Sequence, residues 1–283
     1  MKISKCIRCI KKLYIRFYED DVSALGAQLA YYFLMSFFPF LIFLITLVGY
    51  TPLSSEEMIK ELSNILPENA YLLVRQVIPL VTAGRNKGLL SMGIITTLWV
   101  ASNGVGALMR GLNKAYDQEE KRPFWMVKGI AVLFTIILAI LILLSFVFLI
   151  FGELIGRYLF LWMGMPQVFD MTWNLIRYLC MIMMMLLVFV MLYRVVPNQR
   201  LSWREVISGA IFTTLSWILI SLGFAYYVNH FVNYSKLYGS IGGVIVLLVW
   251  LFLSAVIMLL GGEVNATLAF DREGIEKTPS KHY

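Results

Sequence analysis

Two histidines, His230 and His282, and three cysteines, Cys6, Cys9 and Cys180, are the side chains best suited to acid–base, nucleophilic or metal chemistry near neutral pH. Cys6 and Cys9 form a CxxC, half of a zinc site, but no second pair follows to complete a tetrahedron. Cys180 falls in an apolar run and reads as a lipid-facing or packing residue. There is no HExxH, no P-loop and no GxSxG. A nuclease needs clustered carboxylates for metal ions or an acid–base pair. Asp117, Glu119 and Glu120 stand instead in a charge-mixed segment that reads as solvated surface. These residues predict no catalytic centre, no cofactor and no metal.

A different kind of chemistry is suggested by polar groups where apolar ones are expected. From Val22 to Ser55 the chain carries no Asp, Glu, Lys or Arg, yet the run holds Gln28, Tyr31, Tyr32, Ser36 and Pro39. Gln28, Tyr32 and Ser36 recur at i, i+4 and i+8, one stripe of a helix. Pro39 lacks the N–H that would bond the Met35 carbonyl, which predicts a free carbonyl and a kink. Inside a membrane such groups are tolerated only against protein or water. Asn103 is a second such group, flanked by Gly104 and Gly106, which allow a close backbone or a break. Thr213 lies among Ser208, Gly209, Thr214 and Ser216; Glu263 and Asn265 stand at a membrane boundary, with Arg110 a candidate partner for Glu263. Gly239 and Gly243 form a GxxxG step suited to close helix contact. Two readings stay open. These groups pack helices together, or they line a polar path for a substrate. No Asp or Glu lies deep in an apolar segment, which argues against a pump built on a mid-membrane carboxylate.

The elements that position these residues follow from composition. Of 283 residues, 60% are hydrophobic and 14% charged. Soluble domains average about a quarter charged, so too little polar surface remains to wrap a water-soluble globule. A spanning helix needs ~20 apolar residues. Six segments qualify: 24–50, 88–110, 126–152, 173–194, 205–230 and 238–262. The fold class is an all-α polytopic membrane protein with six transmembrane helices. If the N-terminus is cytoplasmic, every Lys and Arg falls on the inner side except Lys60, Arg75, Arg85, Lys87, Arg157, Arg177 and Lys236. That bias puts both termini in the cytoplasm. The net charge of +7 is then a topology signal, and no nucleic-acid partner is expected. The first apolar run is far longer than a signal peptide's apolar region, so no cleavable signal is expected.

Residues 1–21 are too charged to span. Ile3, Ile7, Ile10, Tyr14 and Phe17 recur at helical spacing, with Lys5, Arg8, Lys12 and Arg16 opposite. This basic amphipathic helix is expected on the anionic inner leaflet, each cation gaining about 1 kcal/mol there. Residues 22–268 make the membrane domain, with 51–87 an outer amphipathic loop broken at Pro67, and 269–283 a cytoplasmic tail. Ser54 with Glu57 and Ser202 with Glu205 fit capping boxes. Phe124, Trp125, Trp162, Trp173 and Trp203 read as interfacial aromatics.

Taken in order, Tyr31-Tyr32 with Ser36 and Pro39, Trp99, Asn113 and Tyr116 resemble the YihY/BrkB family of bacterial inner-membrane proteins. So do Tyr193-Arg194, Pro197-Asn198, Gly209-Ala210, Tyr238-Gly239-Ser240 and Gly261-x-Glu263-x-Asn265. The resemblance runs from the first span to the end of the sixth. It implies six spans and the bacterial cytoplasmic membrane. The family has no agreed biochemical activity, and its former label, ribonuclease BN, is regarded as a misassignment. The expected function is movement of an envelope lipid or other amphiphile, without enzymatic activity. A scaffold or accessory subunit of an envelope complex is the alternative, and a membrane ribonuclease the remaining one. Expected partners are membrane lipids, a second copy of the chain or an envelope protein.

Overall fold

A computed structural model of the chain describes residues 2–48, 87–162, 169–199, 201–231 and 241–274. They form seven helices: α1 (Lys2–Glu19), α2 (Val22–Val48), α3 (Lys87–Ala115), α4 (Phe124–Trp162), α5 (Phe169–Val195), α6 (Trp203–Phe231) and α7 (Ile241–Glu273). Among the described residues there is no strand. The expected helices of the 51–87 loop, Tyr238-Gly239-Ser240 and the end of the tail lie outside the described residues, apart from Lys87 at the start of α3.

Among the described residues five helices are long and apolar enough to cross a membrane, over Ser91–Ala115, Phe124–Leu141, Leu175–Val195, Trp203–Val228 and Gly242–Arg272. α2 is a continuous helix with Pro39 inside it, and its stretch Val22–Phe37 is apolar. The chain is a multi-pass membrane protein, all-helical over its described residues. α4 and α7 have 39 and 33 residues, about 58 and 50 Å at 1.5 Å per residue. They outrun a hydrocarbon core of ~30 Å. The expected spans stop at 152 and 262 because Glu153 and Glu263 end the apolar windows. A charge ends apolarity but not the backbone ladder, so the helices continue. α3 likewise runs unbroken through Gly104 and Gly106, because glycine keeps its N–H in the ladder and costs only about 1 kcal/mol of helix propensity.

The chain divides into two compact units, Tyr32–Ala101 and Met1–Tyr31 with Ser102–Tyr283. In the larger unit α6 lies along α7, α5 packs on α6, α4 on α5, and α1 on α7. Leu29, Leu112, Tyr193, Val206, Ala210, Ala255 and Ala266 form its buried centre. Trp125, Leu133, Leu179, Leu187 and Leu219 are exposed, as lipid-facing positions should be.

The joints are chemically specific. Asp21 takes a left-handed φ of 52° between α1 and α2, and its carbonyl accepts from the Leu25 N–H at 3.0 Å. α3 ends with Asp117 at φ 55°; the Gln118 N–H reaches the Asn113 carbonyl (2.9 Å) and the Asp117 N–H the Lys114 carbonyl (3.1 Å). This pair is a Schellman cap. α6 opens with the expected capping box, the Ser202 N–H donating to Glu205 Oε2 at 2.7 Å. Trp173, read as interfacial, is buried, whereas Trp162 is exposed.

Candidate functional site

Two of the polar residues singled out in the sequence, Thr213 and Asn265, meet where α6 crosses α7. Gly209 on α6 and Gly261 on α7 bring the two backbones together. A Cβ on Gly209 would overlap the Gly261 carbonyl, and one on Gly261 would overlap Thr213 Oγ1 and Tyr193 Oη. The side-chain amide of Asn265 spans the crossing. Its oxygen accepts from the Gly209 N–H, and its nitrogen donates to the Val206 carbonyl at 3.2 Å. Tyr193 reaches in from α5 and donates to the Met258 carbonyl at 2.7 Å. With its single proton used, the phenol accepts from Thr213 Oγ1, 2.6 Å away. Tyr193, Thr213 and Asn265 are all buried, so here the polar groups lock three helices.

The GxxxG step predicts close contact at the opposite end of α7. A Cβ on Gly243 would meet nothing within 4 Å, and Gly239 lies outside the described residues. The tight approach is made by Gly209, Gly261 and Gly262, the last against Leu112 of α3. Trp217 to Ser254 (3.1 Å) and Trp250 to Ser221 (3.3 Å) extend the α6–α7 seam. The sequence signal for these bonds is the small hydroxyl residues in both helices, but spacing alone assigns no pairing.

Glu263 is buried two residues from Asn265, and its partner is Arg16 of α1, 3.6 Å away, rather than Arg110. Arg16 is itself buried and its guanidinium lies 4.9 Å from the centre of the Phe270 ring. Lys12, one turn earlier, pairs with Asp271. Two of the four cations assigned to the lipid-facing side of α1 therefore engage α7. Tyr116 is also buried, and its hydroxyl has no hydrogen-bond partner among the described residues. Burial pushes its phenol well above the ordinary range.

Below this cluster the α3–α4 and α5–α6 connections are tied together. Asn113 donates to Glu120 Oε2 (2.9 Å) and accepts from the Asn198 N–H (2.7 Å). Asn198 donates to the Glu119 carbonyl at 3.0 Å. Arg122 forks onto Glu120 at 2.7 and 2.6 Å and donates to the Val196 carbonyl at 3.2 Å. Hydrogen bonds from Arg122 hold the Glu120 carboxyl below its ordinary range. Glu120 is thus a tie between connections as well as a surface charge. A polar hollow of about 310 Å³ lies beside it, lined by Asp20, Arg110, Lys114 and Asp117 among others.

The remaining sequence candidates do not join the α6–α7 cluster. Gln28 is exposed and accepts from Arg110 Nη2 at 3.2 Å. Asn103 Oδ1 and Ser102 Oγ each accept from Lys128 Nζ at 2.7 Å. Lys128, at the start of the expected span 126–152, sits inside α4, one turn after Phe124 begins it. Its stem lets the ammonium reach back to α3. Asn103, Gly106 and Arg110 share one face of α3, at i, i+3 and i+7. In the smaller unit, Ser36 Oγ donates to its own helix at the Phe33 carbonyl (2.9 Å). Tyr31 is exposed and Tyr32 half-buried; Pro39 lies within α2. Among the described residues no group of three His, Cys, Asp or Glu side chains is arranged to hold a metal ion.

The family model described as virulence factor BrkB matches residues 13–282. The putative ribonuclease-like protein YfkH of Bacillus subtilis is 43% identical over 259 residues, 92% of this chain and 94% of the relative. A UPF0761 membrane protein of Alteromonas mediterranea is 28% identical over 269 residues, covering 93% and 89% of the two chains. Another from Tolumonas auensis is 27% identical over 258 residues, covering 89% and 82%. No solved structure matches.

Proposed function

The chain belongs to the family described as virulence factor BrkB, and from that premise we propose a six-span protein of the bacterial cytoplasmic membrane that moves an envelope lipid or other amphiphile. Both termini are cytoplasmic in this reading, and no enzymatic step is involved. The observation that carries it is the polar face of α3. Arg110 on Gln28 and Lys128 on Asn103 and Ser102 set two cations along one helix face, with Gly106 between them. Asn103 and Arg110 are seven residues apart, about 10 Å along the axis. Both cations stand at the inner end of the bundle, Arg110 exposed and Lys128 half-buried, where basic groups attract anionic lipid headgroups. Their separation suits an anionic headgroup passed from one to the other. The exposed face of α1, with Tyr14 and Tyr18, rests on the anionic leaflet in the same reading.

The test is transfer of a fluorescent anionic lipid between leaflets of vesicles holding the purified protein. Wild type should move it. Gln28→Leu with Asn103→Leu should abolish transfer, and Arg110→Gln with Lys128→Met should do so without stranding a cation. Full transfer by a folded Arg110→Gln, Lys128→Met protein would sink the polar-face reading. A stoichiometric envelope protein that co-purifies, with no transfer by wild type, would favour the scaffold. Metal-dependent RNA cleavage by the purified chain would instead favour a ribonuclease.

A further inference from the structure

On the side of the bundle formed by α4, α5 and α6 lies an apolar groove of about 800 Å³. Leu141 and Leu144 of α4, Cys180 and Met191 of α5, and Trp203 and Ile207 of α6 line it. Cys180 and Met191 are eleven residues apart on one helix, about 16 Å of length. Half of a ~30 Å hydrocarbon core is about 15 Å. The groove therefore matches the acyl region of one leaflet.

Its Trp203 end is closed by a charge. The Arg194 guanidinium stacks on the Trp203 ring, 3.6 Å from its centre. Arg194 Nη1 is buried without a hydrogen-bond partner among the described residues, and none of their carboxylates pairs with this side chain. Arg204, next to Trp203 in the first turn of α6, is exposed. A guanidinium carries five donors and fits phosphate in a fork. Leaving its donors unmet at a dry edge is costly. A tryptophan stacked on an arginine is also the side-chain pair expected at headgroup depth. Among the described residues the protein supplies the apolar slot and the cation, but no anion.

We infer that this groove is a binding site for one acyl chain of an anionic glycerophospholipid, whose phosphate sits on Arg194. The site rests on the chain spanning a membrane and not on the transport reading, since it lies on helices other than α2 and α3. The phosphate replaces the missing acceptor, and Met181, Met183 and Met184 beside Cys180 adapt to chains of differing unsaturation.

The test is native mass spectrometry of the full chain with equal amounts of phosphatidylglycerol and phosphatidylcholine bearing the same chains. Wild type should retain phosphatidylglycerol with about tenfold preference, because the choline cation of phosphatidylcholine competes with Arg194 for its own phosphate and is repelled by the guanidinium. Arg194→Gln should bring the preference to about one. Leu187→Trp, at an exposed groove position, should reduce retention of both lipids. An unchanged preference in Arg194→Gln overturns the proposal, as does a lipid-free dimer of the wild-type chain. A second measurement needs no Arg194 variant. Brominated acyl chains should quench the fluorescence component lost in Trp203→Phe, and more strongly on phosphatidylglycerol than on phosphatidylcholine. Equal quenching by the two lipids overturns the assignment.

Discussion

Arg16 of α1 and Glu263 of α7 face each other across 3.6 Å with both side chains buried. Such a pair is asymmetric in its energetics. While intact, desolvation offsets much of the attraction; with one partner gone, the survivor is stranded, at about 3–5 kcal/mol. Arg16→Met and Glu263→Met should each lower the Tm of the detergent-purified protein sharply, and the double variant should lie above both. Strictly additive losses in that cycle would show that the two charges are not coupled. The double variant also asks whether α1 stays docked, because Lys12 with Asp271 is then its remaining ion pair to α7 among the described residues.

Glycines of α7 should respond oppositely to the same substitution. Gly261→Ala drives a methyl group into Thr213 Oγ1 and Tyr193 Oη. It must break their bond or part the helices, with a loss of roughly 2–3 kcal/mol, the scale of overpacking. Gly243→Ala meets nothing within 4 Å, and it gains helix propensity of up to about 1 kcal/mol. Thermal unfolding of the two variants separates these cases. Equal Tm values would mean that the α6–α7 crossing is looser than Gly209 and Gly261 indicate.

Asp117 holds a left-handed φ of 55° at the cap of α3. A residue with a Cβ incurs a strain of roughly 1 kcal/mol there that glycine does not. Asp117→Gly should therefore leave stability unchanged or raise it, despite the loss of a charge. A fall in Tm would show that the carboxylate has a role in the neighbouring hollow that its backbone conformation does not account for.

Glu120 makes the connection between the two loops pH-sensitive. Hydrogen bonds from Arg122 lower its folded carboxyl pKa. Its contribution is therefore complete above the unfolded value of about 4.3. It is lost as pH falls through the lower folded value. The Tm difference between wild type and Glu120→Gln should be constant from neutral pH down to mildly acidic pH and shrink below that. A difference that instead grows on acidification would reverse the assignment of the tie to the ionised form.

Whether a feature of this fold is legible in the sequence depends on whether it is local. Helices follow from apolar runs, and Ser202 with Glu205 declares the start of α6, because each signal lies within a few residues of its effect. The partner of Glu263 is not local. Arg110 and Arg16 both lie on the same side of the expected topology, and spacing along the chain cannot rank them. A basic stripe on an amphipathic helix usually faces solvent, which directs Arg16 to headgroups rather than to α7. Likewise, Gly239-x-x-x-Gly243 and the Gly209–Gly261 pair offer the same small side chains. Only the crossing of α6 and α7 decides which of them touch another helix. Lys128, at the start of the expected span 126–152, counts there only as an inner-side charge, whereas its long stem carries the ammonium to Asn103 of α3.

Lys128 supplies the last prediction, and it separates packing from a path. Its ammonium is met by Ser102 Oγ and Asn103 Oδ1 at 2.7 Å each. Asn103→Leu leaves the cation in place and removes one acceptor. Lys128→Met removes the cation and leaves an amide that is half-buried and can find water. If the trio only packs α3 against α4, Asn103→Leu should be the more destabilising, by about 1 kcal/mol for the lost acceptor. Lys128→Met should then leave lipid transfer at its wild-type rate. If the trio handles an anionic headgroup, Lys128→Met should fold normally and lose transfer, and Lys128→Arg should restore part of it. Stability and transfer measured on the same three variants give opposite orders for the two roles.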